Sequence, residues 1–152
     1  MSGIIIRPMR EVDLEIVSDL AMIANPHAVK EQYQKHVFNE LKENPDLAFV
    51  AIDGERVVGF VQGDTRGRMT TIEDLAVAEK YQGKGIGSQL LKIEIDALNM
   101  RGAEIVAAEV HYKNARAIPF YYEHGFRISE CLQDYFGIGH DAFILKLTLR
   151  EG

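Results

Sequence analysis

The 152-residue sequence holds a single cysteine, Cys131, which excludes an internal disulfide and any zinc site built from several thiolates. An apolar flank at Leu132 favours a buried structural thiol over a nucleophile at that position. No apolar run approaches the ~20 residues that span a bilayer, so no membrane segment is expected. A basic surplus is missing too: 17 Lys and Arg against 23 Asp and Glu leave a formal net charge of -6. That balance argues against a general nucleic-acid grip and suits a cationic substrate, although most of it reads as a solvated acidic surface. Met1-Ser2-Gly3-Ile4 carries no basic region ahead of an apolar core, so no signal peptide and a cytoplasmic location are expected. The five histidines are scattered, none spaced as a ligand with another His, a Cys or paired carboxylates, and no metal is expected. There is neither internal repeat nor biased linker.

What is present is an ordinary globular composition, 47% apolar and 26% charged, in a length that builds one core. Residues 1–152 are expected to form one domain. Ile4-Ile5-Ile6 reads as a strand, and Leu14, Val17, Leu20 and Ala21 mark a helix over 13–24. A second helix is expected within 28–43, where Val29, Tyr33, Val37 and Leu41 recur every four residues before Asn44-Pro45. Two β-branched runs, 47–52 and 56–62, flank the turn dipeptide Asp53-Gly54. A strand over 69–78 precedes a helix with the stripe Ile86, Leu90, Ile93, Ala97 and Met100, which stops at Arg101-Gly102. Strands over 104–110, from Gly125-Phe126, and over 141–149 follow, with a helix capped by Asn114 running to Glu123 between the first two. The fold class is α/β: one mixed sheet of about six to seven strands flanked by about four helices.

The most informative segment is Tyr81-Gln82-Gly83-Lys84-Gly85-Ile86-Gly87-Ser88, between a strand and a helix. Alternate glycines clear one side of the loop so that successive backbone N–H groups converge on an anion, and the helix N-terminus adds its own unpaired donors. This suits a pyrophosphate. The spacing is neither that of the G-x-x-x-x-G-K-[ST] loop nor that of the dinucleotide G-x-G-x-x-G loop.

Two runs then act together. Ile72-Glu73-Asp74-Leu75-Ala76-Val77, followed after four residues by Gln82-x-x-Gly85-x-Gly87, resembles the acyl-CoA motif of the GNAT superfamily of N-acyltransferases. Downstream, Asn114-x-x-Ala117-x-x-Phe120-Tyr121, three residues, then Gly125-Phe126, is similar to the second motif of that family. The resemblance covers essentially the whole chain and implies a single GNAT-like domain with acetyl-CoA as cosubstrate. It implies that the strand ending at Val77 splays from the one ending at Val110, with pantetheine entering between them. Leu75 N–H would polarise the thioester carbonyl, while Ala76 and Val77 lie along pantetheine. The N–H groups of Gln82, Gly83, Lys84, Gly85, Ile86, Gly87 and Ser88 would hold pyrophosphate, and Asn114 the pantetheine amide region.

Acyl transfer needs a neutral amine, yet a lysine-like amine of pKa near ~10 is almost wholly protonated at neutral pH, so a base is expected. Glu73, read as sharing a strand face with Leu75 and Val77, and Glu109, before the Asn114 motif, both sit where relatives place a carboxylate, with Glu109 preferred. Tyr121, and not Tyr122, matches the family's usual general acid for the departing thiolate. Pro119 sits early in its helix and raises the question of a kink there. Asp134-Tyr135-Phe136-Gly137 resembles the end of protein N-terminal acyltransferases, which points to a peptide acceptor lined by Tyr135, with Tyr33 a further acceptor-side aromatic. His140 stands where those enzymes usually carry an acid, and Ile-Glu-Asp-Leu also suits small amines, so the primary-amine acceptor is a protein N-terminus or a small molecule. A different class of function, a non-catalytic acyl-CoA sensor, shares the loop but needs neither Tyr121 nor two bases. A last strand at a sheet edge would offer a second copy a pairing surface, and hence a homodimer.

Overall fold

The computed structural model describes residues 3–66 and 69–150. The chain runs through β1 (Ile4–Pro8), α1 (Leu14–Ala24), α2 (Lys30–Glu43), β2 (Ala48–Asp53), β3 (Arg56–Arg66), β4 (Met69–Val77), α3 (Ile86–Met100), β5 (Ile105–His111), α4 (Ala117–Glu123), β6 (Arg127–Leu132) and β7 (Ala142–Thr148). The strands form one sheet in the order β1-β2-β3-β4-β5-β7-β6. The first four strands pair antiparallel in sequence order, with α1 and α2 lying between β1 and β2. β4 and β5 are the parallel pair, and a parallel pair needs a crossover, which α3 supplies. The turn between β2 and β3 consists of Gly54 and Glu55, one residue later than the dipeptide suggests, since Asp53 already pairs with Arg56.

Each face of the sheet carries its own core. On one, Leu90, Leu91 and Leu98 of α3 and Tyr121 of α4 pack on Val58, Val61, Val106, Ala108 and Val110. On the other, Val17, Leu20 and Ala21 of α1 and Val37 of α2 pack on Val50, Phe60 and Ala76. Burying each of those leucines stabilises the fold by ~1.5–3 kcal/mol, so α3 is held by its apolar stripe rather than by capping. The acidic surplus stays largely outside these layers.

Three local expectations are corrected. Cys131 is exposed, not buried, because β6 is the outer strand of the sheet and is covered on neither face. Asn114 does not cap the helix that follows: it ends a 3-10 turn (Tyr112–Asn114) whose cap is His111, and Arg116 occupies the α4 N-cap. Pro119 is the third residue of α4, where its missing N–H would have had no intrahelical partner, so the helix continues to Glu123 through it.

Candidate active site

The site begins where two strands part. β4 and β5 pair from Met69–Ile105 to Ile72–Ala108, although β4 continues to Val77 and β5 to His111. The first residue beyond the last pair is Glu73 on one strand and Glu109 on the other. Against β3, Gln62 faces Asp74 and Gly63 faces Ile72, so Glu73 is an extra residue, a β-bulge. The bulge turns Glu73 to the same face as Asp74, towards α1 and α2. Glu73 Oε2 lies 3.9 Å from His36 Nε2 of α2, and Asp74 Oδ1 accepts from Asn25 Nδ2 at 2.7 Å. Glu73 therefore does not share a face with Leu75 and Val77, which pack towards α3. On β5, Val106, Ala108 and Val110 enter the α3-side core, so alternation puts Glu109 and His111 on the α1 and α2 side.

A cleft of about 380 Å³ passes through this fork, lined on one side by Glu73, Asp74, Glu109 and His111 and on the other by Gly83, Gly85, Ser88, Asn114 and Tyr121. Leu75, Ala76, Val77, Gln82, Ile86 and Gly87 complete its walls along β4 and the turn. The backbone edge of β4 is open to it. Ala78 N–H donates to Val58 O, and because antiparallel pairs alternate, Ala76 and Asp74 also bond towards β3 while the N–H groups of Leu75 and Val77 point the other way, into the fork. Val77 O accepts from Gln82 Nε2 at 3.0 Å, which ties the turn to the end of the strand.

The turn leads to a bare helix end. Gly83 and Gly85 have φ of 77° and 84°, the left-handed region that side chains with a Cβ rarely adopt. A Cβ at either would meet no atom within 4 Å, so backbone conformation and not crowding requires glycine there. Gly85 is the N-cap of α3 and gives no side-chain cap; the first intrahelical bond runs from Gln89 N to Gly85 O. The N–H groups of Ile86, Gly87 and Ser88 are thus left for a ligand, with the positive end of the helix dipole behind them. Such a cradle suits a phosphate, and the free N–H edge of β4 suits an extended amide chain. Lys84 is exposed beside the turn, with Nζ 5.6 Å from the Tyr81 ring centroid, and does not line the cleft.

The opposite side is a carboxylate cluster. Burial pushes the Glu73 carboxyl up to about 8, with the charges of Glu109 and Asp74 adding to the effect. Burial raises Asp74 to about 7, against the opposing hydrogen bonds from Asn25 and Tyr33, and its Oδ2 is buried with no partner among the described residues. Burial also raises the Tyr121 hydroxyl, which therefore holds its proton across the physiological range. Among the described residues no group of three or more His, Cys, Asp or Glu is arranged to hold a metal.

The comparisons decide the family. The profile of the Acetyltransferase (GNAT) family matches residues 14–126. The chain belongs to the GNAT acetyltransferase family. It is similar to N-alpha-acetyltransferase 30 of Schizosaccharomyces pombe, 33% identical over 123 residues, covering 76% of this chain and 81% of that protein. It is also similar to an N-alpha-acetyltransferase of Sulfurisphaera tokodaii, 32% identical, covering 95% of this chain and 92% of that one. The crystal structure of Ard1 from Thermoplasma volcanium superposes with a TM-score of 0.88 at 26% identity, covering 98% of this chain and 99% of that chain. This GNAT enzyme is an N-acetyltransferase, and the seven-stranded mixed sheet with four helices is the architecture its motifs imply.

Two residues of the acetyltransferase expected at the acceptor stand behind the cleft rather than in its walls. Tyr33 points its hydroxyl at Asp74 Oδ1, 3.4 Å away, and Tyr135 donates to Glu109 Oε2 at 2.6 Å. The sequence reading missed a polar group that the fold brings together there: Asn25, Asp74, His27 and His111. Three of the five scattered histidines, His27, His111 and His140, converge at the end of β5. Strand alternation from Glu109 was a usable signal for His111, two residues on; nothing in the sequence joins His27 to it.

Proposed function

We propose that this acetyltransferase moves the acetyl group of acetyl-CoA to the α-amine of a polypeptide N-terminus, in the cytoplasm, on one domain comprising residues 1–152. The observation that carries the reading is the placement of Glu73 and Glu109 at the apex of the β4–β5 fork, facing away from the α3 N-terminus across one continuous cleft. Donor and acceptor then enter from opposite faces of the sheet and meet at the fork. Acetyl-CoA supplies the acyl group as a thioester. The N–H groups of Ile86, Gly87 and Ser88, with the turn 82–85, hold its pyrophosphate, and the free N–H groups of β4 with Asn114 hold its amide arm. Leu75 N–H faces the thioester oxygen on which charge gathers.

The Glu73–Glu109 pair takes the proton of the incoming amine. An α-amine has an ordinary pKa of about 7.7–8.0, and Glu73 at about 8 is matched to it, so the transfer is close to balanced. Tyr121, buried and protonated, gives its proton to the leaving thiolate. An α-amine also suits this site better than a lysine side chain, whose amine is nearly all protonated at neutral pH. The N-alpha-acetyltransferase relatives point to the same acceptor. No nucleic acid or membrane takes part, and β6 offers its open edge to a second copy of the chain.

The test is thiol release from acetyl-CoA by the purified protein with N-terminal peptides, polyamines, amino sugars and aminoglycosides. Turnover confined to peptides supports the proposal. Turnover confined to small amines replaces the acceptor, and acetyl-CoA binding without turnover on any acceptor favours a sensor.

A further inference from the structure

His111 is the last residue of β5 and is 1% exposed, and its two ring nitrogens have different partners. Lys113 N–H donates to Nδ1 at 3.0 Å, so Nδ1 carries no proton. In the neutral ring the proton must then be on Nε2, which lies 2.9 Å from His140 Nδ1 and donates to it. Burial, together with the neighbouring His27, His140 and Lys113, lowers the pKa of His111 to about 4, so the neutral form holds at physiological pH. One face of the same ring stacks on His27, with centroids 3.9 Å apart and planes 12° from parallel.

The two partners belong to different loops. His27 is in the α1–α2 loop, whose Asn25 lines the cleft. His140 closes the β6–β7 loop, and that loop is braced within itself: Phe136 N–H donates to His140 O, His140 N–H to Gly137 O, and Gly139 N–H to Asp134 Oδ1. These bonds tie residues 134–140 to one another. The loop reaches the acceptor side of the sheet through His140 on His111, Tyr135 on Glu109 at 2.6 Å, and the Tyr112 N–H on Asp141 O at 2.9 Å.

We propose that His111 is a positioning residue for the acceptor: it clamps the α1–α2 loop by ring stacking and the β6–β7 loop by its Nε2–H bond to His140, reinforcing the direct ring contacts of His27 with Phe136 and His140 at 5.5 and 5.4 Å, so that the two loops are held together behind the cleft at Glu109. His111 does not move protons in this role. Both nitrogens are engaged, and accepting a proton at Nδ1 would break the bond from Lys113. The clamp sets where the acceptor lies and how Tyr135 holds Glu109. It rests on the acceptor side assigned above, and it predicts that losing the clamp weakens acceptor binding while leaving acetyl-CoA binding alone.

The experiment compares His140→Ala, His140→Asn and His111→Gln with the parent, measuring acceptor KM and kcat at saturating acetyl-CoA, acetyl-CoA Kd, and amide exchange over 25–29 and 133–141. Removing the acceptor nitrogen in His140→Ala raises acceptor KM by at least about fivefold, keeps kcat within about twofold, leaves acetyl-CoA Kd unchanged and speeds exchange over 133–141. His140→Asn, whose Oδ1 can stand in for Nδ1, recovers most of the KM. His111→Gln keeps a donor to His140 but loses the stack, so exchange quickens mainly over 25–29. Unchanged acceptor KM and unchanged exchange over 133–141 in His140→Ala would overturn the proposal. So would a loss confined to kcat, which belongs to a group acting in the chemistry. If the parent transfers acetyl to no amine, the function proposed above fails, and the exchange pattern alone decides whether the clamp exists.

Discussion

Glu109→Gln separates the electrostatics of the site from its chemistry. Glu73 sits near 8 in place of an ordinary 4.5 because it is buried and because Glu109 and Asp74 add negative charge beside it. A group at about 8 is ~9% ionised at pH 7 and ~91% at pH 9, so the ionised fraction grows about tenfold over that interval. Replacing Glu109 by its neutral isostere removes the strongest of the neighbouring charges, and Glu73 should then fall towards its ordinary value while burial keeps it above that value. The direct assay is a carbon NMR titration of carboxyl-labelled glutamate between pH 4 and 10, with Glu73→Gln used to assign the resonance. It needs no turnover and is independent of the acceptor amine. The kinetic counterpart is the pH profile of kcat/KM for one peptide: the amine titrates identically with both enzymes, so a lower midpoint in Glu109→Gln reports the enzyme. A Glu73 resonance titrating near 4.5 in the parent, or one unmoved by Glu109→Gln, would refute the coupling. Full activity in Glu73→Gln and Glu109→Gln alike would remove the pair from the chemistry.

Tyr121→Phe keeps the aromatic packing against Phe126 and loses the hydroxyl, so kcat should fall tenfold or more with acetyl-CoA Kd unchanged by calorimetry. Gly85→Glu combines a strained left-handed residue with a carboxylate at the bare α3 N-terminus, and calorimetry should show at least a hundredfold loss of acetyl-CoA affinity; unchanged affinity would put the pyrophosphate elsewhere. Glu94 is fully buried with neither oxygen hydrogen-bonded among the described residues, and burial raises its pKa well above 4.5. Its folded state keeps a proton that the unfolded state releases, so its contribution to stability is intact below about pH 4.5 and falls by up to about 1.4 kcal/mol per unit as pH rises towards the folded pKa. Glu94→Gln should therefore raise Tm little at pH 4 and clearly at pH 8; an equal gain at both would refute the protonated state. Cys131, being exposed, should react with a thiol reagent in the folded protein, and Cys131→Ser should retain activity while removing the background from a thiol-release assay.

The elements, the crossover through α3 and the turn at Gly83–Gly87 were legible in the sequence because each is written locally, as period, punctuation and the glycines required by left-handed backbone. The donor half of the cleft was legible for the same reason: it uses backbone N–H groups, and backbone placement follows from the order strand, turn, helix. The acceptor half depends on side chains brought from separate elements, and there strict alternation fails. One extra residue at Glu73 reverses the facing of everything before it on β4, and that bulge is set by its pairing with Gln62 and Gly63 of β3, ten residues away. The same shift takes Glu73 off the face of Leu75 and Val77 and sets it beside Asp74 on the side of Glu109, where mutual repulsion can tune it. The exposure of Cys131 likewise follows from the strand order, since β7 pairs between β5 and β6 and leaves β6 outermost, a result of topology that no flanking residue records. Local signals thus locate the donor, and register locates the acceptor. A one-residue deletion at Glu73 therefore tests the division: it should remove both the bulge and the carboxylate it presents beside Glu109 and abolish transfer, while the pairing of Ile72 and Asp74 with β3 and acetyl-CoA binding at the α3 N-terminus survive, the latter read by calorimetry.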